Sequence, residues 1–398
     1  MHETKTEPSA AAAPRPRTGR AASARIRLES LDALRGIMLI ASIVSNSLVP
    51  VPHWYDHSRW GGVHGIDLIF PVFVTITGIG LGFAMHRRVQ AGPLLRRAAV
   101  LFAAGLLYNA VTLWSFDLGT WRVPGVLQMY ACVVVVLGVL HLLTRTWVGW
   151  AVITVSLAAA HTVLLATTAA HCPGGILTRE CNPSGVLDPM MFGAAHIYSQ
   201  GTAGHDPEGA VAVLGALVSA SAGVTAAHLL LAVRARADRA GQGGGVGVAT
   251  VPMVALAAAL GGAAWFAVQV PDWVTGTPML VMKRLWTVPF GLGVAAGTVV
   301  ALLVVHLLLD RANARPALLG ASYPLRALGR NSLLVYFGSH VVMSLLAREF
   351  GEGPSAIDRL WPAFGVAGHP QLSWSIVLVV VWTALAAFLH HKKVYLRP

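Results

Sequence analysis

Long apolar runs, separated by short clusters of Arg, Gly and Pro, dominate the chain. Ten of these runs approach or reach the roughly 20 residues that a helix needs to cross a bilayer core of about 30 Å. The pattern predicts an all-α, polytopic integral membrane protein with about ten transmembrane helices. The predicted spans are 31–50, 64–85, 94–113, 123–142, 147–169, 208–232, 249–269, 286–308, 328–347 and 372–391.

The composition agrees with this pattern. Hydrophobic residues make up 55% of the chain and charged residues 12%, which is too little charge for an ordinary water-facing surface. Residues 1–26, rich in Ala, Pro and Arg, are predicted to form a disordered cytoplasmic tail, so the first apolar run is not expected to be a cleavable signal peptide. Residues 27–398 are predicted to form one transmembrane domain, with a flexible cytoplasmic linker near 234–248.

Basic residues concentrate in alternate connections between the apolar runs, which predicts the orientation of the chain. With a cytoplasmic N-terminus, the inside segments carry most of the Arg and Lys residues, and ten spans place both termini in the cytoplasm. The net charge of +12 is then explained by topology and by attraction to anionic lipids. Because no soluble basic domain is present, no nucleic-acid partner is expected.

Two of the three cysteines, Cys172 and Cys181, fall in one loop that is predicted to lie outside. A disulfide between them fits an oxidising exterior, and two isolated thiols are the alternative. Cys132 falls in an apolar run and is expected to pack there. The sequence has no Cys-x-x-Cys pair and its 16 histidines are scattered, so no metal site is expected.

The first span contains three polar side chains that need a physical reason, because charge is costly in a membrane. Asp32 and Arg35 are one helical turn apart. They could form an ion pair that anchors the helix end, or Asp32 could hold Arg35 so that it faces a phosphate group. Asn46 lies about three turns further along on roughly the same face. It could bond a neighbouring helix or take part in chemistry.

The segment between the first two spans, 52–62, packs two His, an Asp, an Arg, two Trp and a Tyr together. An imidazole such as that of His57 can remove a proton from an attacking amine or can itself attack a thioester. Asp67 opens the next span, where a carboxylate either caps the helix or orients a nearby His. His53 and His64 are interpreted as scaffold.

Two later outside segments also gather polar residues. His196, Asp206 and Glu208 precede the sixth span, and the Asp206–Pro207 pair is typical of a helix start, with Asp as the N-cap. Lys283 and Arg284 precede the eighth span against the prevailing charge bias, which suggests contact with a substrate. Packing is the preferred interpretation of four histidines on apolar runs: His141, His161, His228 and His306.

Several short motifs, spread in one order along the membrane core, resemble those of a known family. They are Ser30–Ile37, Asn46, His57–Gly61, Asp67–Pro71, Pro124–Gln128, Leu187–Asp188 with Gly193, His196–Tyr198, Asp206–Gly209, Lys283–Thr287 and Gly329–Tyr336. Together they resemble the heparan-alpha-glucosaminide N-acetyltransferase family of transmembrane acetyltransferases and their bacterial relatives.

That resemblance implies transfer of an acetyl group from cytoplasmic acetyl-CoA to the amine of a glucosamine-like sugar on the far side of the membrane. It implies that His57 is the catalytic base or transient acetyl carrier and that Asn46 polarises or positions the reacting group. Either Asp67 or Asp206 is expected to hold the tautomer of the imidazole. The candidate donor-binding and acceptor-binding residues are Asp32, Arg35, Trp60, His196, Asp206, Glu208, Lys283, Trp286, Asn331 and Ser332.

Two other functions stay open at this point. A related class O-acylates envelope glycans or lipids and has a His in its first helix, where this chain has Asn46 after Arg35. A transporter or flippase of polar sugars would show broken helices in matched halves, and the sequence has no such repeat. The expected partners are membrane lipids and an outside amino-sugar or glycan acceptor, with a homodimer as a further candidate. The Ala-rich, Arg-over-Lys composition fits a bacterial plasma membrane.

Overall fold

The computed structural model describes residues 28–49, 51–241, 246–310, 315–349, 353–365 and 368–396. The predicted tail, 1–26, lies outside the described residues. So do residues 242–245 of the predicted linker.

The described residues form a bundle of α-helices joined by short 3-10 turns and loops. The helices are α1 Glu29–Ser47, α2 Ile69–Met85, α3 Ala91–Leu113, α4 Val126–Leu143, α5 Trp147–Ala170, α6 Pro183–Phe192, α7 Ala210–Arg239, α8 Thr250–Thr275, α9 Val288–Leu309, α10 Pro316–Ala321, α11 Tyr323–Arg330, α12 Ser332–Leu346, α13 Ala356–Leu360 and α14 Pro370–His391.

The predicted class, an all-α polytopic membrane protein, is confirmed. Within the described ranges, the β pairing is limited to one isolated bridge between Gly62 and Met282. Seven stretches of the described chain are long and apolar enough to cross a membrane. They are Gly65–Met85, Ala91–Leu113, Trp147–Ala170, Ala210–Arg239, Gly247–Trp273, Val288–Leu309 and Pro370–His391.

Three of the ten predicted spans fall on helices that do not reach this length or hydropathy. Two are shorter apolar helices, Val126–Leu140 and Ser332–Leu346. The third is α1, which has 19 residues and carries acidic residues in its first turn. The number of ten spans and the cytoplasmic position of both termini therefore stay predictions.

Helix α7 lies at the centre of the bundle, packed against α2, α5 and α9. Small residues fill it, so neighbouring backbones approach closely, as is common between membrane helices. A Cβ at Gly78 of α2 would lie 1.9 Å from the Ala220 carbonyl oxygen, and one at Gly223 of α7 would lie 2.2 Å from that of Thr75. Both glycines are thus required where α2 crosses α7.

The beginning of α1 is fixed by charged partners from distant parts of the chain. The Asp310 carboxylate accepts the backbone N–H of Glu29 at 2.9 Å and so caps the helix. The Glu29 carboxylate pairs with Arg326 and Arg330 of α11, and Arg330 also donates to Asp32 at 3.1 Å. These pairs hold the Asp32 and Arg35 turn against α11.

The end of α1 is tied to the following loop. The hydroxyl groups of Ser45 and Tyr55 lie 2.6 Å apart, within hydrogen-bonding distance. Ser47 and Ser375 of α14 make a similar contact at 2.6 Å. The loop that carries His57 therefore starts from a fixed point beside Asn46.

The four histidines on apolar runs are all buried. His161 Nε2 lies 3.1 Å from the Leu285 carbonyl oxygen, and His306 Nδ1 lies 2.5 Å from Asp310. The other two are partners of each other, with His141 Nε2 and His228 Nε2 3.4 Å apart. Each of these histidines is thus bonded inside the bundle.

Candidate active site

His57 and Asp67 form a hydrogen-bonded pair at the end of the bundle where α1 finishes. The His57 Nδ1 atom lies 2.6 Å from Asp67 Oδ1. The Asp67 side chain is 2% exposed and the His57 side chain 40% exposed. Because a carboxylate oxygen only accepts, Nδ1 carries the proton, and in the neutral ring the lone pair is on Nε2. That tautomer leaves His57 able to act as a base or nucleophile.

Asp67 also holds the loop that carries His57. Its second oxygen, Oδ2, accepts the backbone N–H groups of His64 at 3.0 Å and Ser58 at 3.2 Å. The sequence offered two alternative roles for Asp67, capping the helix and orienting a nearby His. The bond to the His64 backbone caps the helix and the bond to His57 orients the imidazole, so one carboxylate has both roles. The side chain of Ser58 closes the loop by donating to the Gly61 carbonyl at 2.7 Å.

A second loop, 171–182, braces the His57 loop from the side. Cys172 and Cys181 form a disulfide in this loop. Trp60 Nε1 donates to the Leu177 carbonyl at 2.9 Å, between the two cysteines, and the Trp60 ring packs edge-on against His205. The disulfide loop thereby fixes the indole that follows His57 in the chain.

Lys283 approaches the same carboxylate from a third segment. Its Nζ atom lies 3.9 Å from Asp67 Oδ1, and its side chain is 13% exposed. Burial lowers the pKa of Lys283 below its usual value, against the opposing effect of Glu208 and Asp67. His57, Asp67 and Lys283 are therefore brought together although the chain separates them widely.

Asn46 stands near the end of α1, close to where the His57 loop begins. Its Nδ2 atom donates to the Ser339 carbonyl of α12 at 3.3 Å. An amide nitrogen has two N–H groups, so a second donor remains for a reacting oxygen. The alternative role that the sequence left open, a bond to a neighbouring helix, is also present.

Arg122 joins two outer segments through a charged network. It donates to Asp206 at 2.8 Å and to Glu208 at 2.7 Å, and its guanidinium lies 5.0 Å from the centre of the Tyr198 ring. Burial lowers the pKa of Arg122, but the two carboxylates outweigh it and raise the value overall. His196 is held nearby, with Nδ1 2.9 Å from the Trp121 carbonyl.

Asp206 does not cap the sixth predicted span, contrary to the sequence interpretation. Helix α7 begins at Ala210, and its first N–H is accepted by Asp188 of α6 at 2.8 Å. Gly209 is needed there, since a Cβ would lie 2.1 Å from the Asp188 carboxylate. Asp206 instead accepts from Arg122 and from the backbone of Tyr198 and Glu208.

A second cluster of charge lies nearer the other end of α1. The Arg35 guanidinium is 3.6 Å from the Asp32 carboxylate. It also lies against α2, where a Cβ at Gly80 would be 2.7 Å from the Arg35 guanidinium. Arg35 and Arg97 of α3 interact electrostatically with each other and with the Tyr130 hydroxyl. The Arg97 Nε atom is buried without a hydrogen-bond partner. Two like charges and an unpartnered donor fit an anionic group such as a phosphate.

A line of interacting polar groups connects the two clusters through the bundle. Tyr130 interacts electrostatically with Tyr336, and Tyr336 interacts with Tyr108. Tyr336 and Tyr108 each also interact with Glu208. Glu208 in turn interacts with Lys283 beside Asp67. Arg35 and Asn46 are 11 positions apart in α1, which corresponds to about 16 Å along the helix. Along α1, the two clusters are therefore separated by about half of a bilayer core.

Two predicted binding residues are fully buried in the bundle. Trp286 is fully buried and donates through Nε1 to Ser219 at 2.9 Å. Asn331 is also fully buried, between α11 and α12, and its amide donates to the Ala327 and Ala386 carbonyls. Ser332 begins α12 immediately after it. Trp286 and Asn331 thus make hydrogen bonds inside the bundle, and the binding role expected for the three residues stays a prediction.

The sequence assigned no site role to five residues of the connecting line and its surroundings, which are Tyr108, Arg122, Tyr130, Tyr336 and His340. Tyr108 and Tyr336 stack with ring centres 6.0 Å apart, and His340 lies 4.4 Å from the Tyr336 ring. Arg122 pairs with Asp206 and Glu208, which gives it a place in the site that its position in an outer loop did not indicate. Tyr and His residues inside apolar runs could have pointed to this part of the site. However, Tyr and His residues that only pack in the core or lie at the membrane interface occur in the same positions.

Comparisons with known proteins bear directly on the motif resemblance. The family model described as "Heparan-alpha-glucosaminide N-acetyltransferase, catalytic" matches residues 27–183. The human protein named heparan-alpha-glucosaminide N-acetyltransferase is 25% identical over 435 aligned positions, and the mouse protein of that name is 23% identical. Each alignment covers 96% of this chain and 61% of the relative.

The resemblance is confirmed. The family match includes Asp32, Arg35, Asn46, His57 and Asp67, which the structure places at the two clusters. Glu208 and Lys283 lie beyond the matched range. The chain spans about three fifths of the length of the two relatives.

The side chains of the described residues are not arranged as a metal site. Among the described residues, no group of three or more His, Cys, Asp or Glu side chains is arranged to hold a metal ion. The chemistry available at the site is that of an imidazole, a carboxylate, an amide and an ammonium.

Proposed function

We propose that this protein is a transmembrane N-acetyltransferase that moves an acetyl group from cytoplasmic acetyl-CoA to the amine of a glucosamine-like sugar on the opposite side. The observation that carries the proposal is the His57–Asp67 pair, which lies at the far end of α1 from the Arg35 and Arg97 cluster. The names of the similar proteins supply the substrate class. The donor and the acceptor would reach His57 from opposite faces.

Acetyl-CoA supplies an acetyl thioester at this site. Arg35 and Arg97 would hold its phosphates, since the Arg97 Nε atom lacks a partner. The line Tyr130, Tyr336 and Tyr108 leads from these guanidinium groups towards Glu208 and Lys283. Arg330, a third arginine near Arg35, is paired with both Glu29 and Asp32.

His57 would perform the proton transfer. Asp67 fixes the proton on Nδ1, so Nε2 can remove a proton from the acceptor amine as the new C–N bond forms and the C–S bond breaks. The proton then passes to the leaving sulfur. In the alternative order, Nε2 takes the acetyl group first and passes it to the amine. The free N–H of Asn46 would donate to the carbonyl oxygen as negative charge develops.

The acceptor would bind on the side of the disulfide loop. Trp60 offers an aromatic face, and Glu208 offers a carboxylate for an amine. His196 and Asp206 shape this region through Arg122 and the backbone. The composition fits a bacterial plasma membrane, in which this side would face outward.

The test compares the wild type with His57→Ala in purified membranes, using labelled acetyl-CoA and a panel of amino sugars. We expect acetylation of at least one amino sugar and a loss of about 10²-fold to 10⁴-fold in His57→Ala, since a positioned base contributes that much. His53→Ala is the matched control, because this exposed imidazole lies in the same loop. Full activity of His57→Ala would refute the assignment.

A further inference from the structure

Lys283 is delivered to the active site by a short segment that pairs with the His57 loop. The Gly62 N–H donates to the Val281 carbonyl at 2.9 Å, and Gly62 bridges to Met282. Met282 and Leu285 on either side are fully buried. The backbone on both sides of Lys283 is therefore fixed, and the ammonium group is directed into the site.

The ammonium of Lys283 and the imidazole of His57 meet at the same oxygen. Asp67 Oδ1 lies 2.6 Å from His57 Nδ1 and 3.9 Å from Lys283 Nζ. The other oxygen of Asp67 is occupied by the backbone N–H groups of Ser58 and His64. The negative charge that stabilises a protonated His57 is thus partly neutralised by Lys283.

Other charged groups surround this trio from each neighbouring segment. In the His57 loop, the Asp56 side chain accepts the His57 backbone N–H at 2.7 Å. Arg284, which follows Lys283 in the chain, donates to the Ser58 carbonyl at 3.3 Å. None of these contacts uses the shared oxygen. The ionisable groups around the site are Tyr55, Asp56, Arg59 and His64 of the loop, Lys283 and Arg284, and Arg179, His205 and Glu208 of the outer segments.

We propose that Lys283 is a positioning residue that acts through Asp67 to keep His57 in its neutral, reactive form. This inference rests on the proposed function for its purpose, but its physical content concerns only the three side chains. A cation near the shared carboxylate disfavours a second positive charge on the imidazole. Without Lys283, Asp67 would favour the protonated ring, which has no lone pair on Nε2.

The sequence suggested another role for Lys283, direct contact with a substrate, and the two roles predict different results. A substrate contact raises the KM for the acceptor and leaves the protonation of His57 unchanged. The role through Asp67 changes the pH at which His57 becomes reactive. The second quantity can be measured on the purified full-length protein without any acetyl transfer.

The experiment measures modification of His57 by diethylpyrocarbonate, which reacts with neutral imidazole, as a function of pH. Mass spectrometry of the His57 peptide gives the pH of half-maximal modification. In Lys283→Met we expect this pH to rise by about one unit, the size of effect that one charge exerts at close range. Lys283→Arg keeps the cation and should keep the wild-type pH.

Two further variants keep the test decisive. Lys283→Gln replaces Lys283→Met if the latter does not fold. Arg284→Met removes the neighbouring cation, which contacts a backbone carbonyl, and should shift the pH less. Equal half-modification pH in the wild type, Lys283→Met and Lys283→Gln would overturn the inference, even if acetyl transfer by the wild type is established.

If transfer is measured as well, the pH dependence of kcat should agree with the modification data. Lys283→Met should lose about tenfold in kcat on the acid side and recover at higher pH, as expected for a shift of about one unit. A raised acceptor KM with an unchanged pH profile would assign Lys283 to the substrate instead. Absence of transfer in the wild type would count against the proposed function and leave the modification result decisive for Lys283.

Discussion

Asp67 shows how one carboxylate serves a helix start and a catalytic base together. Its Oδ2 atom caps the turn at His64, while Oδ1 contacts His57. The sequence offered these as alternatives, since a carboxylate at a helix start is favourable whatever else it does. The pair itself was predictable, because the loop and the helix start are adjacent in the chain.

Replacing Asp67 by Asn should lower acetyl transfer mainly through kcat. The amide oxygen can still accept one hydrogen bond, but the negative charge that steadies the protonated imidazole is lost. We expect a decrease of about 10-fold to 100-fold, which is usual for a residue that orients a reactive His. The KM for acetyl-CoA should change little, because the Arg35 cluster is remote.

The matched control for Asp67→Asn is Asp56→Asn. Asp56 also belongs to the His57 loop, but it is exposed, and its side chain accepts the His57 backbone N–H rather than touching the imidazole. Its loss should leave kcat within about twofold of the wild type, because exposed groups without special partners contribute little. Equal losses in the two variants would mean that loop integrity, rather than the orientation of the imidazole, limits the rate.

Other residues of the site could not be predicted from local sequence. Arg122 pairs with Asp206 and Glu208, which are 84 and 86 positions away. Tyr108 and Tyr336 meet across α3 and α12. Such pairings depend on helix packing, and one sequence gives no signal for them. Conversely, Trp286 belongs to a motif and yet packs inside the core.

At the scale of helices, boundaries were harder to predict than existence. Each predicted span falls on a helix, because apolar runs of this length have few alternatives in a bilayer. The start of α7 was misplaced because Asp206–Pro207 looks like a local cap. Asp188, 22 positions from Ala210, supplies the cap instead. A carboxylate from another helix can take over a capping role without leaving a local pattern.

The cap at α7 predicts an unusual dependence of stability on pH. Burial raises the pKa of Asp188 from its usual 3.8 to about 6, against hydrogen bonds from Ser184 and Ala210 that lower it. A raised folded-state pKa means that the contribution to stability is present below about pH 4 and is lost as the pH rises through about 6. The expected loss is at most about 3 kcal/mol.

Thermal unfolding in detergent checks this prediction. Between pH 7.5 and pH 5.5 the wild type should gain stability from Asp188, whereas Asp188→Asn should lack this part of the pH dependence. Asp117→Asn, at an exposed loop position, is the control and should follow the wild type. Identical pH dependence in the wild type and Asp188→Asn would exclude Asp188 as the titrating group.

At the scale of the whole molecule, the two clusters define a direction through the bundle. His57, the disulfide loop and Lys283 gather at one end, and Arg35 with Arg97 lies towards the other. The distribution of basic residues predicts which end is cytoplasmic. The connecting line of Tyr130, Tyr336 and Tyr108 was not predictable, because it arises where separate helices meet.

Transfer of an acetyl group across the membrane can be measured in sealed vesicles that contain the purified protein. Labelled acetyl-CoA is supplied on one face only and amino sugar is enclosed on the other, with His57→Ala vesicles prepared in parallel. We expect labelled N-acetyl sugar inside the wild-type vesicles and none above background with His57→Ala. Product that forms only when both substrates share one face would contradict transfer across the membrane.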